Sequence, residues 1–241
     1  MKKILIISVL TILFWSCKNE PEPPKVTYED NLKIKTKKTS EDTTKIDVAD
    51  LPIQFEGTNV LIFPVGKIQI NSGQSSMQKI DVNEVNDAVS FKISNNNDNE
   101  ITGFLNNVKF QSINKDTVTK LTDKKVIIQS ITYLKDFATK TKKQFLVYVM
   151  EDSDTNKDGT IDLNDINTLY ISDIFGNNFK KISSDFQELI DWQLVMSQNR
   201  LYFRTIEDTN KNGKFDKGDK INYQFLNLLS SDFSIEDYNP I

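Results

Sequence analysis

The sequence predicts an all-β fold built from repeated four-stranded antiparallel meanders, with a β-sandwich as the alternative arrangement of the same strands. From Leu51 onward, short runs rich in Val, Ile, Phe, Tyr and Leu alternate with clusters of Asn, Asp, Gly and Lys, the pattern of strands between turns. Residues 107–122 also match residues 168–183 at a constant offset of 61, so the runs recur as a unit. A third observation is negative: apart from a single turn at 163–167, no stretch beside the polar loops carries the 3.6-residue periodicity of a helix.

The chain begins with Lys2 and Lys3, followed by an apolar run over residues 4–15 that is too short to span a bilayer and has the form of a secretory signal peptide. Cys17 follows directly. The segment Phe14, Trp15, Ser16, Cys17 resembles a bacterial, Bacteroidetes-type lipoprotein signal, which implies cleavage after residue 16 and acylation of Cys17. Lys18, Asn19 and Glu20 are similar to the short lysine-acidic tag of surface-exported lipoproteins in that group. Acyl chains anchor a protein to a membrane without crossing it, so the implied location is the cell envelope, most simply the outer membrane, on its periplasmic or outer face. Residues 17–50 carry Pro21, Pro23 and Pro24 among many Lys, Glu and Thr, with few large apolar groups, and read as a flexible tether. The folded domain is expected over residues 51–241, in units of about 57–123, 124–184 and 185–241.

The middle unit is the clearest. Strands are expected at 126–133, 144–150, 168–172 and 179–183, joined by local connections and therefore antiparallel. The last unit repeats the order with strands at 189–196, 201–206 and 221–228. In the first, residues 95–100 stand where the other units carry a polar loop, but lack a carboxylate at the first position and a glycine at the sixth. The wording of residues 169–183, a strand, a glycine turn at Gly176 and a polar strand, resembles the Tol-type β-propeller repeat over roughly residues 108–228. Closed propellers take four to eight blades, so three units imply an open or partial array.

Between the second and third strands of the last two units lie residues 154–165 and 208–219. In the first, Asp154, Asn156 and Asp158 occupy positions 1, 3 and 5, Gly159 position 6, Thr160 position 7, Asp162 position 9 and Asp165 position 12. In the second, the same positions hold Asp208, Asn210, Asn212, Gly213, Lys214, Asp216 and Asp219. Ile161 and Phe215 at position 8 are apolar anchors. Calcium takes six to eight oxygen ligands, and side chains at 1, 3, 5, 9 and 12 with a backbone carbonyl at 7 supply them. The pattern resembles EF-hand and dockerin loops, with Asp in place of the EF-hand's usual Glu at position 12. The resemblance implies bound calcium. Strands rather than helices flank these loops, so the ion is expected to clip strand ends together at extracellular calcium levels, not to act as a switch. Four carboxylates against three make the first loop the expected tighter site.

The chain has no histidine and its single cysteine is Cys17. That excludes Ser-His-Asp and Cys-His nucleophilic chemistry and the usual zinc sites. A formal charge of −4, more negative once Lys2 and Lys3 are removed, argues against a nucleic-acid partner. The expected function is non-enzymatic: a calcium-stabilised lipoprotein that presents a β surface to a protein or glycan. One alternative is an assembly role in which a partner chain completes an open β edge. The other is a carboxylate-only glycoside hydrolase, for which Asp191 beside Trp192 is the suggestive pair.

Overall fold

The computed structural model describes residues 23–28, 45–69 and 92–241. The leader, Cys17, the tag at residues 18–20 and residues 29–44 of the expected tether lie outside the described residues. Within them the chain is all-β, with antiparallel pairing throughout and one short helix.

The first unit comprises β1 (Lys45–Ala49), β2 (Val60–Gln69), β3 (Ser94–Asn96), β4 (Glu100–Ser112) and β5 (Val118–Lys120). The second comprises β6 (Ile127–Tyr133), the helix α1 (Lys135–Thr141), β7 (Phe145–Glu151), β8 (Thr168–Asp173) and β9 (Lys180–Lys181). The third is β10 (Gln187–Val195), β11 (Arg200–Glu207), β12 (Lys220–Asn227) and β13 (Ile235–Asp237). The last four form a separate sheet in sequence order, whereas the strands before them run β1-β2-β4-β6-β7-β8-β9.

That long path is two meanders fused through one strand. The C-terminal half of β4 pairs with β2 on one edge and β5 on the other, while its N-terminal half pairs with β3 and β6. Register shifts at Val65/Gly66 and at Thr102/Leu105 mark where β4 passes from one meander to the next. Among the described residues the result is a nine-stranded sheet, with β3 and β5 paired to β4 off its main path, and a four-stranded sheet, and neither closes into a barrel. The repeat read from the sequence recurs residue for residue: Lys109↔Lys120 and Phe110↔Thr119 in the first unit become Tyr170↔Lys181 and Ile171↔Lys180 in the second.

Two boundaries differ from expectation. The first unit starts at Lys45, not near 57, because β1 pairs with β2 from Lys45↔Gln69 to Ala49↔Val65. The stretch 17–50 is therefore not tether throughout, and backbone pairing holds a strand whose side chains are largely exposed. The expected degenerate loop at 95–100 is strand at both ends, with only residues 97–99 forming a tight turn between β3 and β4, closed by Asn97 N–H to the Glu100 carbonyl at 2.9 Å.

The middle unit is buried on both faces. Leu146, Tyr148 and Met150 of β7 point into a core shared with Ile62, Ile101, Val108 and Phe110 of the first unit. Phe145 and Val147 point the other way, toward Leu201, Phe203 and Leu226 of the third. This is why β7 reads as an unbroken apolar run rather than an alternating one. The α1 helix closes the β6–β7 end, with Phe137 fully buried and Lys142 in the left-handed conformation (φ 65°) at its C-terminus.

Gly176, in the β8–β9 turn, joins the first two units. It sits at φ 77°, and a Cβ there would stand 2.5 Å from the Phe110 ring. Gly176→Ala is expected to cost about 2 kcal/mol or more in a denaturant titration, from left-handed strain and overpacking together. An unchanged unfolding midpoint would show that the turn moves freely away from Phe110.

Candidate functional site

The two loops occupy equivalent places, one between β7 and β8, the other between β11 and β12. Their backbones are folded by the same hydrogen bonds. Asp154 accepts from the N–H groups of Asp158 (3.1 Å) and Gly159 (2.9 Å), and Asp208 from Asn212 (3.2 Å) and Gly213 (2.7 Å). Asn156 accepts from Asp158 N–H and Asn210 from Asn212 N–H, each at 2.9 Å. Asp158 accepts from Thr160 N–H (2.9 Å) and Asn212 from Lys214 N–H (2.8 Å). Asp162 accepts from Asn164 N–H (2.8 Å), and Asp216 from Gly218 N–H (2.9 Å).

At position 12 each aspartate ties the loop's two ends. Asp165 accepts from Thr155 N–H (2.7 Å) and Asp162 N–H (2.9 Å), and Asp219 from Thr209 N–H (3.0 Å) and Asp216 N–H (2.8 Å). Position 4 is left-handed in both loops, Lys157 at φ 59° and Lys211 at φ 56°, as is position 6, Gly159 at 97° and Gly213 at 82°. Two stretches that differ at positions 5, 7, 8, 10 and 11 thus share one shape.

The residues named from the sequence are therefore brought together loop by loop. Their donors are carboxylate, amide and carbonyl oxygens, which suit a hard cation such as calcium. Among the described residues, however, no three acidic side chains converge closely enough to hold an ion by themselves. The carboxylates are not equivalent. Burial pushes Asp165 above the usual carboxylate range despite four hydrogen bonds that oppose it. Asp158 is held low, first by the Thr160 hydroxyl, and Asp219 is held low, first by the backbone N–H of Asp216.

Sequence reasoning missed what lies over the loops. Residues 23–28, expected to be tether, cross from one loop to the other with Val26 buried at 2% exposure. Lys25 N–H donates to the Gly213 carbonyl at 2.8 Å, and Thr27 N–H to the Thr155 carbonyl at 2.8 Å. Lys25 Nζ pairs with Glu188 at 2.6 Å. Burial first, then the charge of Asp208, push the Tyr28 hydroxyl up to about 12. The available signal was the recurring Asp-Thr-Asn-Lys of both loops, because Thr155 at position 2 is one of the residues that hold the crossing segment.

A second missed feature is a buried polar cluster at the foot of the first loop. Glu151 ends β7 with no exposed surface; one carboxylate oxygen accepts from the Gln129 amide and the other has no partner. Gln129 also donates to Asn167 at 2.5 Å, and Asn167 donates through its backbone to Glu188 at 3.0 Å. Burial pushes Glu151 up to about 7.

Asp191 and Trp192 are separated by the sheet's alternation. Asp191 is ion-paired with the Arg204 guanidinium, which holds it below its usual range. Trp192 packs against the core between the second and third units. A groove of about 270 Å³ beside Trp192 has one carboxylate in its lining, Asp136, where a paired-acid hydrolase needs two. Among the described residues no helix is long and apolar enough to cross a membrane. Comparison with protein-family models, curated proteins and solved structures finds no match to the chain, which leaves its own residues as the ground for a functional reading.

Proposed function

We propose that the protein is a calcium-binding, lipid-anchored envelope protein whose β domain is held in shape by two metal loops and offers its surface to a protein or glycan. One observation carries the metal part: loops of different sequence share a single hydrogen-bonded backbone that arrays Asp, Asn and carbonyl oxygens at the calcium-loop positions. A turn that served only to connect strands would need neither the spacing nor the same side chains at 1, 3 and 9. The anchor rests on the Cys17 signal, and the non-enzymatic reading on a chain without histidine and a groove without paired carboxylates.

Calorimetric titration of the full-length chain with calcium tests this. Two binding events are expected, and Asp154→Ala and Asp208→Ala should each remove one. Calcium at a hundred times its dissociation constant should raise stability by about 2.7 kcal/mol per site relative to chelator. No heat and no change in the thermal midpoint would overturn the reading.

A further inference from the structure

The segment crossing the loops joins atoms that belong to both. Lys25 and Val26 N–H groups donate to the Gly213 carbonyl at 2.8 and 3.3 Å, which fastens the segment to position 6 of the second loop. Thr27 N–H donates to the Thr155 carbonyl at 2.8 Å and its hydroxyl to the Asn156 carbonyl at 2.7 Å, positions 2 and 3 of the first loop. The Thr155 hydroxyl returns a bond to the Lys25 carbonyl at 2.8 Å and also accepts from Ile166 N–H at 3.0 Å, beyond the loop's far end. The approach over the second loop is close enough that a Cβ on Gly213 would stand 2.5 Å from the Val26 carbonyl oxygen.

Apart from the Thr155 hydroxyl, these bonds are made to loop backbone, not to side chains that could follow a moving target. They form only if positions 2, 3 and 6 stand where calcium-loop geometry puts them. We propose that residues 23–28 are a strap whose docking is coupled to calcium in both loops, so that the metal fixes the strap and the strap links the two sites. This rests on the calcium reading above. Coupling of this kind is reciprocal: whatever factor calcium adds to strap docking, the docked strap adds to calcium affinity. With the strap docked, Pro23 lies six positions beyond Cys17, a reach of about 20 Å at most. With residues 23–28 released, the next described element is β1 at Lys45, 28 residues beyond Cys17, a contour of about 100 Å at most. Calcium would thereby set how far the β domain stands from the membrane.

The test uses the full-length chain. Hydrogen exchange at the Lys25, Val26 and Thr27 amides is followed in saturating calcium and in chelator, and calcium titrations are run on wild type, Val26→Asp and Thr27→Val. Val26→Asp places a charge in a buried position; Thr27→Val removes only the hydroxyl bond to Asn156 and keeps the fold in reserve. Exchange at the three amides is expected to slow at least tenfold in calcium. Thr27→Val should weaken both sites about fivefold, roughly the worth of one hydrogen bond, and Val26→Asp should weaken them more. Calcium binding of wild-type strength in both variants, with strap exchange indifferent to calcium, would overturn the coupling and leave the loops as independent sites. Absence of binding by wild type would overturn the calcium reading and the coupling together.

Discussion

Phe203→Ala is expected to lower stability by about 3–5 kcal/mol and Ile131→Ala by about 2–5 kcal/mol, and the double variant should lose the sum to within about 0.5 kcal/mol. Both side chains are buried, Phe203 at 1% and Ile131 at 0% exposure. They belong to different cores: Ile131 packs between the first and second units, Phe203 between the second and third. Between the cores runs the middle sheet, whose β7 sends alternate side chains into each. A cavity on one side is relaxed by the side chains around it, and those are not the side chains that would relax a cavity on the other. Denaturant titrations of the two single variants and the double give the answer. A coupling energy of 1 kcal/mol or more would mean that the middle sheet shifts as a body and transmits strain between its faces.

The same two-faced sheet explains what the sequence makes visible. An apolar run of six residues at 145–150, bounded by polar clusters, can hardly be anything but a doubly buried strand. The loops are legible because their side chains must alternate with backbone donors, so Asp and Asn recur at fixed spacing. The offset of 61 is legible because it reproduces a strand pairing, Lys109↔Lys120 to Tyr170↔Lys181. Elements held by backbone alone are silent. The β1 strand has exposed side chains at four of its five positions, and its brief Lys-Ile-Asp-Val alternation sits in a stretch whose composition reads as linker. The strap shows only one buried side chain, Val26, among prolines and polar residues that composition assigns to a linker. The N-cap of the α1 helix is Leu134, which offers no side-chain cap, so the usual start signal is missing. Nor could the sequence show that β4, at 13 residues, serves two meanders, since the break between them is a register shift rather than a turn.

Between pH 4.5 and pH 8, Glu151→Gln is expected to gain about 3 kcal/mol of stability on wild type. Glu151 is fully buried, one carboxylate oxygen accepts from the Gln129 amide, and the other has no side-chain partner. Burial raises it from 4.5 to about 7, opposed by the Gln129 bond, its own backbone N–H and the Lys25 charge and aided by the charge of Glu188. A carboxyl that binds its proton more tightly in the folded chain than in the unfolded one stabilises the fold below its unfolded value. That stability drains away as pH rises through the folded value, here from about 4.5 to about 7. Glutamine does not titrate, so the difference between variant and wild type isolates Glu151 from the loop carboxylates, which titrate equally in both. The unpartnered atom that glutamine leaves in the same place adds a constant offset and no slope. Denaturant titrations in chelator at pH 4.5, 6 and 8 should show the gap widening by roughly equal steps over the two intervals and nearing a plateau at the last. A gap that stays flat would mean that water or Lys25 reaches the second oxygen of Glu151 and keeps it ionised. In that case the foot of the first loop would be an ion-paired site, and its grip on the strap would be insensitive to pH across this range.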